Sequence, residues 1–281
     1  MVIVNACAVI IFAPSIHIIK TMNMKLIKQE LNIIEPLRVE YLGSLPLFQD
    51  IFLEFSVAFA NCYLIQLEDE TIGYTIVSDE NIILEYFILD DHAAGALAFF
   101  NQTIKALNIK SIYCKSFDFQ LLDCCISNGY TYQLIGCLYR DFADKGLPVS
   151  NSLSFRFANI SDLPFLNNQD DEVFEPKELL PQFVENKAII MLENTGKEIM
   201  GCGFITRINP SFNYFDLGVW VSPEHRTKGY ATQIMLHMKA LCEKNKDVPV
   251  CGCDINNTAS HRMLKKIGFI SKHKIIEFFT E

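Results

Sequence analysis

One order of apolar runs and turns is traversed twice along this chain, and that repetition constrains its fold more than any other feature. Late in the sequence Ala188–Leu192 reads as a strand, Glu193–Lys197 as a turn and Ile199–Thr206 as the returning strand of a hairpin. Tyr214–Val221 is a third apolar run. A helix over Lys228–Asn245 follows, with Ile234, Leu236, Met238 and Leu241 among its apolar positions. Val248–Cys253 predicts a strand, Thr258–Ile267 a helix stopped by Gly268-Phe269, and Lys272–Phe279 a closing strand. The first half runs through the same order: strand Cys62–Leu67, turn Glu68–Thr71, strand Ile72–Val77, strand Ile82–Leu89, helix Ala93–Leu107, strand Ser111–Lys115 and helix Phe119–Ser127. Landmarks correspond: Ile72-Gly73-Tyr74 with Met200-Gly201-Cys202, Gly95 with Gly229, and Gly129-Tyr130 with Gly268-Phe269. The chain therefore reads as two copies of one α/β unit, 24–148 and 149–281. Its 281 residues are a two-domain length, and each copy is long enough to bury a core.

Composition narrows the function. Half of the residues are hydrophobic, which excludes a disordered chain. The net charge is −9, and no Lys/Arg stripe marks a nucleic-acid partner. Residues 1–150 hold 9 Lys/Arg against 17 Asp/Glu, whereas residues 151–281 hold 15 against 16. The acidic half suits either a cationic partner or plain solubility. Of the ten cysteines, Cys62, Cys114, Cys202, Cys251 and Cys253 lie in or beside strand-like runs, where a free Cys is a small buried hydrophobe. No second pair completes a zinc spacing with Cys251 and Cys253, so no metal is expected and a reducing cytoplasm is the expected home. Met1–Ile19 is apolar, but it is short for a span and interrupted by Asn5, Pro14, Ser15 and His17. Residues 1–23 are expected to stand outside the fold, with no entry into a membrane. A monomer or a homodimer is expected.

The most informative segment is Val219–Ala231. An apolar strand ends at Val221, and a loop carrying Arg226, Thr227 and Lys228 enters a helix whose first turn contains Gly229, Tyr230 and Ala231. A helix N-terminus offers unpaired N–H groups and a partial positive charge, a natural seat for a diphosphate. Arg226-Thr-Lys-Gly229-Tyr-Ala231 resembles the Arg/Gln-x-x-Gly-x-Gly/Ala signature of the GNAT superfamily of acetyl-CoA-dependent N-acetyltransferases. Asn257-Thr-Ala-Ser260, followed by Gly268-Phe269, is similar to the family's second signature. The resemblance is clear over about 153–281, and the first half shares the fold in outline only. It implies an α/β (α+β) fold of two GNAT-like units, each a twisted, mixed, mostly antiparallel sheet flanked by helices.

The resemblance further implies acetyl-CoA held between the strand ending at Val221 and the strand ending near Cys253. Pantetheine would bond along Val219 to Val221, the pyrophosphate would sit on the amides from Arg226 to Ala231, and Asn257 would reach the pantetheine arm. The acyl group would pass directly to a primary amine of a small molecule or peptide, without an acyl-enzyme. Many relatives place a tyrosine acid where this chain has Leu264, so Ser260 is the expected proton donor, with His261 as a substitute. Asp216 is the expected base, and structural hydrogen bonding is its alternative role. Trp220 is expected in the core, and Cys251 and Cys253 are not expected to act as nucleophiles. In the first copy the loop Asp90-Asp91-His92-Ala93-Ala94-Gly95 has no Arg or Lys, and its two carboxylates would repel a diphosphate. One acetyl-CoA site is therefore expected, in the second copy. A non-catalytic CoA-binding or scaffold module is the competing expectation, and an acyl group longer than acetyl is the other.

Overall fold

The computed structural model describes residues 24–280, so the expectation for residues 1–23 lies outside the described residues. The first copy comprises β1 (Met24–Gln29), α1 (Leu31–Ser44), α2 (Ile51–Ala58), β2 (Asn61–Leu67), β3 (Glu70–Val77), β4 (Ile82–Ile88), α3 (Ala96–Ala106), β5 (Ser111–Lys115), α4 (Phe119–Ser127) and β6 (Thr131–Phe142). The second comprises β7 (Ser154–Phe157), α5 (Leu163–Asn167), α6 (Leu180–Glu185), β8 (Ile189–Glu193), β9 (Ile199–Arg207), β10 (Tyr214–Val221), α7 (Tyr230–Asn245), β11 (Val248–Asp254), α8 (Thr258–Ile267) and β12 (Phe269–Phe279). All the strands share one sheet, in the order β1-β2-β3-β4-β5-β12-β6-β11-β10-β9-β8-β7.

That order holds the main surprise. The strand after α4 does not return to β5, and the strand after α8 does not return to β11. Instead β12 pairs antiparallel with β5, from Ile275↔Lys115 to Phe279↔Ser111, and β6 pairs antiparallel with β11, from Cys251↔Tyr139 to Asp254↔Gly136. The two exchanged strands also pair with each other along Phe269–Phe279. Each copy thus covers a strand edge that the other would leave open, and open edges invite unwanted pairing. Gly268 stands at this crossing with φ +108°, where a Cβ would come within 2.0 Å of the Ala143 carbonyl oxygen. Glycine is required there by both conformation and contact.

Alternation along the strands sends their side chains to two apolar layers. On one face α3 and α4 cover the first copy through Phe99, Phe100, Leu121 and Cys125, while α7 and α8 cover the second through Ile234, Met238, Leu264 and Ile267. Tyr139, from the exchanged β6, belongs to the second copy's cluster. Trp220 packs on the other face against Phe174, with ring centroids 5.3 Å apart, in the core as expected. The nine described cysteines are all free, and eight are buried. No described helix is long and apolar enough to cross a membrane.

Candidate active site

β10 and β11 run parallel for three rungs only, Tyr214↔Val248, Phe215↔Pro249 and Asp216↔Val250. Beyond them β10 stays on β9 as far as Val221↔Gly201, while β11 turns to β6. The side of β10 that faces β11 therefore has no strand partner from Leu217 to Val221. Past Val221 the chain turns through Thr227 and Gly229, both left-handed at φ 65° and 88°, into α7. No side chain caps α7 at Gly229, so its first amides stay unpaired. A Cβ on Gly229 would meet nothing within 4 Å, so the left-handed backbone, not crowding, selects glycine. Arg226, Thr227, Lys228 and Gly229 are exposed around this turn, with Tyr230 and Ala231 half-buried behind it. The Arg226 guanidinium folds back: its Nε donates to the Val221 carbonyl at 3.1 Å, and its Nη2 lies 3.7 Å from Asp171. Asn257 caps α8 by accepting from the Ser260 N–H at 3.0 Å, which leaves its amide nitrogen free of the cap.

The first copy shows what such an opening does when the protein fills it. β4 and β5 also part after two rungs, Ile82↔Ser111 and Ile83↔Ile112. Gln120 then reaches across: its Oε1 accepts from the Ile88 N–H at 2.7 Å, and its Nε2 donates to the Ile88 carbonyl at 2.9 Å. Gly73 faces Ile88 as Gly201 faces Val221, so Ile88 and Val221 are counterparts. By that register the Val221 N–H and C=O point into the second opening, and strand alternation aims Val219 the same way. The first copy's other face is sealed by ions. Arg38 donates from Nε to Glu85 Oε2 at 3.0 Å and from Nη1 to Glu54 at 2.9 Å, while the Tyr74 hydroxyl donates to Glu85 at 2.9 Å. Burial alone would raise the Glu85 carboxyl, but Arg38 overrides it and holds the group below its ordinary value.

On the face opposite α7 and α8, the second opening meets a cavity of about 500 Å³. Asp50, Phe52, Gly136, Val173, Asp216 and Asp254 are among its walls, so both copies build it. Asp216 is 9% exposed, and its Oδ1 has no hydrogen-bond partner among the described residues. Burial, with the Asp50 carboxylate nearby, pushes the Asp216 carboxyl well above the ordinary range, and Arg140 only partly offsets this. A structural hydrogen-bonding role for Asp216 finds no support at that oxygen. Asp50 is fixed from two sides: its Oδ1 accepts from the Phe52 N–H at 3.1 Å, capping α2, and its Oδ2 lies 3.3 Å from Arg140. A Cβ at Gly252 would come within 2.2 Å of Asp50 Oδ2, so the Cys251-Gly252-Cys253 stretch serves this close approach.

The proton donors sort by geometry. Leu264 is buried in the α7–α8 cluster. His261 is committed elsewhere: its Nδ1 lies 2.6 Å from the Tyr139 hydroxyl and its Nε2 3.0 Å from the Ile255 carbonyl. Ser260 is half-buried, and its hydroxyl has no partner among the described residues. Burial pushes the Cys253 thiol up to about 12 and Cys251 well above its ordinary value, so neither is a thiolate near neutral pH. Asp50, Gln120 and Tyr139 were not legible as parts of these sites in the sequence. The only local signal is Asp50 ahead of an apolar run, which marks a helix cap and not a cavity wall.

An acetyltransferase (GNAT) domain matches residues 30–142, and the acetyltransferase (GNAT) family matches residues 156–269. No curated protein matches the sequence. Among solved structures, an acetyltransferase from the GNAT family of Colwellia psychrerythraea is similar over 92% of this chain and 99% of its own, at 18% identity and a TM-score of 0.81. A tandem GNAT protein from the clavulanic acid biosynthesis pathway is similar over 91% and 98%, at 8% identity and a TM-score of 0.62. A glucosamine N-acetyltransferase region of a fungal multi-domain β-N-acetylglucosaminidase is similar over 93% of this chain and 38% of that one, at 9% identity and a TM-score of 0.58.

Proposed function

Because the chain belongs to the GNAT acetyltransferases, with two such domains in tandem, we propose that its second copy transfers an acetyl group from acetyl-CoA to a primary amine. The observation that carries this reading is the buried, unpartnered Asp216 oxygen where an open strand edge meets a cavity. The residues fit acetyl-CoA: the strand-free backbone of Val219 and the Val221 N–H suit a pantetheine arm, and the uncapped start of α7 suits its pyrophosphate. Asn257 has an amide nitrogen to spare for the same arm. When bound, acetyl-CoA supplies a thioester carbonyl open to direct attack by an amine.

The chain's own groups supply the rest. Asp216, whose carboxyl is made more basic by burial and by Asp50, takes in its ionised form the proton that an incoming ammonium must lose. An unpaired N–H along Val219–Val221 stabilises an oxyanion. The free Ser260 hydroxyl is the remaining donor for a leaving thiolate. Asp50 and Asp254, with Asp216, make the cavity acidic, which favours a cationic acceptor. The Gln120 plug and the Asp90-Asp91 loop leave the first copy without a comparable site.

The test is calorimetric titration with acetyl-CoA, followed by CoA release with a panel of mono- and diamines. One site per chain, lost in the Arg226→Glu, Gly229→Trp double variant, and turnover with cationic amines are expected. Binding without turnover across the panel would support a CoA-binding scaffold instead, and two sites would overturn the assignment of the first copy.

A further inference from the structure

A second cavity, of about 360 Å³, lies on the α7–α8 face of the sheet but on the other flank of α8. Thr258, His261, Arg262 and Lys265 line it from α8, and Ser271 and Lys274 line it from β12. Thr258, Arg262 and Lys265 follow i, i+4, i+7 spacing, so they form one stripe of the helix. Leu264 and Ile267, which pack into the core beside α7, lie on another. The cavity is therefore separate from the open edge of β10.

Its charge is the reverse of the chain's. Three cationic side chains converge there, no carboxylate lines the walls, and the whole protein carries −9. Arg262 and Lys265 make no ion pair among the described residues. Lys274 is held by neutral oxygens alone, 3.0 Å from Ser271 Oγ and 3.3 Å from the His273 carbonyl. The floor is built by the exchanged strand: Tyr139 is fully buried, and its hydroxyl meets His261 Nδ1 at 2.6 Å. With its Nε2–H donated to the Ile255 carbonyl, His261 accepts from Tyr139, so the floor's own hydrogen bonds are satisfied. What the cationic rim lacks, among the described residues, is an anionic partner.

We propose that this cavity binds a compact phosphate-bearing anion, gripped by Arg262, Lys265 and Lys274 with the Thr258 and Ser271 hydroxyls beside them. A guanidinium presents a planar fork of donors to phosphate oxygens, and ammonium groups complete the charge. The volume falls in the range of small-molecule pockets and exceeds what one phosphate group needs, so the phosphate would be part of a larger small molecule.

Inorganic phosphate is the probe, added to the full chain at constant ionic strength and followed by thermal unfolding and phosphorus NMR line width. A saturable rise in Tm is expected in the parent and in Gly229→Trp. In Arg262→Ala, Lys265→Ala it should weaken at least tenfold in apparent Kd, and in Lys244→Ala, Lys266→Ala it should persist. All four substituted side chains are exposed, so loss of folding does not confuse the reading. No saturable response in the parent would overturn the proposal. So would loss in Gly229→Trp alone, which assigns phosphate to the start of α7, or equal weakening in both lysine-containing pairs, which reduces the effect to net charge.

Discussion

Asp216 combines three properties that seldom coincide in one side chain: burial, an orphaned oxygen, and a second carboxylate close by. The fold raises its pKa above the unfolded value, so it favours the protonated form. Its contribution to stability is complete below the unfolded pKa and is lost as pH rises through the folded value. Asp216→Asn should therefore melt higher than the parent at pH 8, with the difference vanishing toward pH 4. The same substitution should lower amine acetylation by about 10²–10⁴-fold, the usual worth of a general base. Thermal melts across pH, beside initial rates of CoA release, separate the two claims. An unchanged melting profile would remove the burial argument, and an unchanged rate would remove the base. The residue was legible as an acid on the strand leading to the phosphate loop. Its partner Asp50 was not, because a helix cap more than 160 positions away comes beside it only through the exchanged sheet.

Strands, helices and their order were the most legible part of the chain, because hydrophobic periodicity is a local property. Ser111–Lys115, Phe119–Ser127 and Thr258–Ile267 fall where the pattern places them. The helix expected from Ala93 begins at Ala96, after a 3₁₀ turn over Asp90–Gly95 that ends with Gly95 in a right-handed conformation (φ −94°), unlike the left-handed Gly229. Gln120 was not legible, because its targets are on β4, 32 residues earlier. Gln120→Ala should lower unfolding stability by about 2–4 kcal/mol, since it strands a buried N–H and C=O on Ile88. Urea denaturation measures this. Acetyl-CoA stoichiometry should stay at one per chain, because opening the strand edge does not supply cationic or uncrowded amides at Asp90–Gly95. A second site in that variant would mean that the plug alone silences the first copy.

At the scale of the molecule, duplication was readable and exchange was not. Periodicity reports that β6 and β12 are strands, but nothing local says which edge each will choose. The choice follows from edges that only the assembled halves present, β5 to β12 and β11 to β6. The consequence is mechanical. Residues 24–148 alone would keep β6 without the partners it has on both sides, and residues 149–281 alone would expose the edge of β11 and send β12 away without β5. Asp144–Pro148 between the copies are exposed and carry none of these pairings, so the covalent link is the least important part of the junction. A protease site inserted there should be cut without releasing the halves, which should co-elute on size exclusion and keep the parent's acetyl-CoA stoichiometry. The same halves expressed separately should aggregate and recover a folded species only when refolded together. Because Tyr139 and Gly136 reach the second copy on β6, the C-terminal half alone should also lose one wall of each cavity. A soluble, acetyl-CoA-binding 149–281 fragment would show that the second copy can close its own sheet with β12, and that the exchange is a preference of the linked chain, not a requirement of the site.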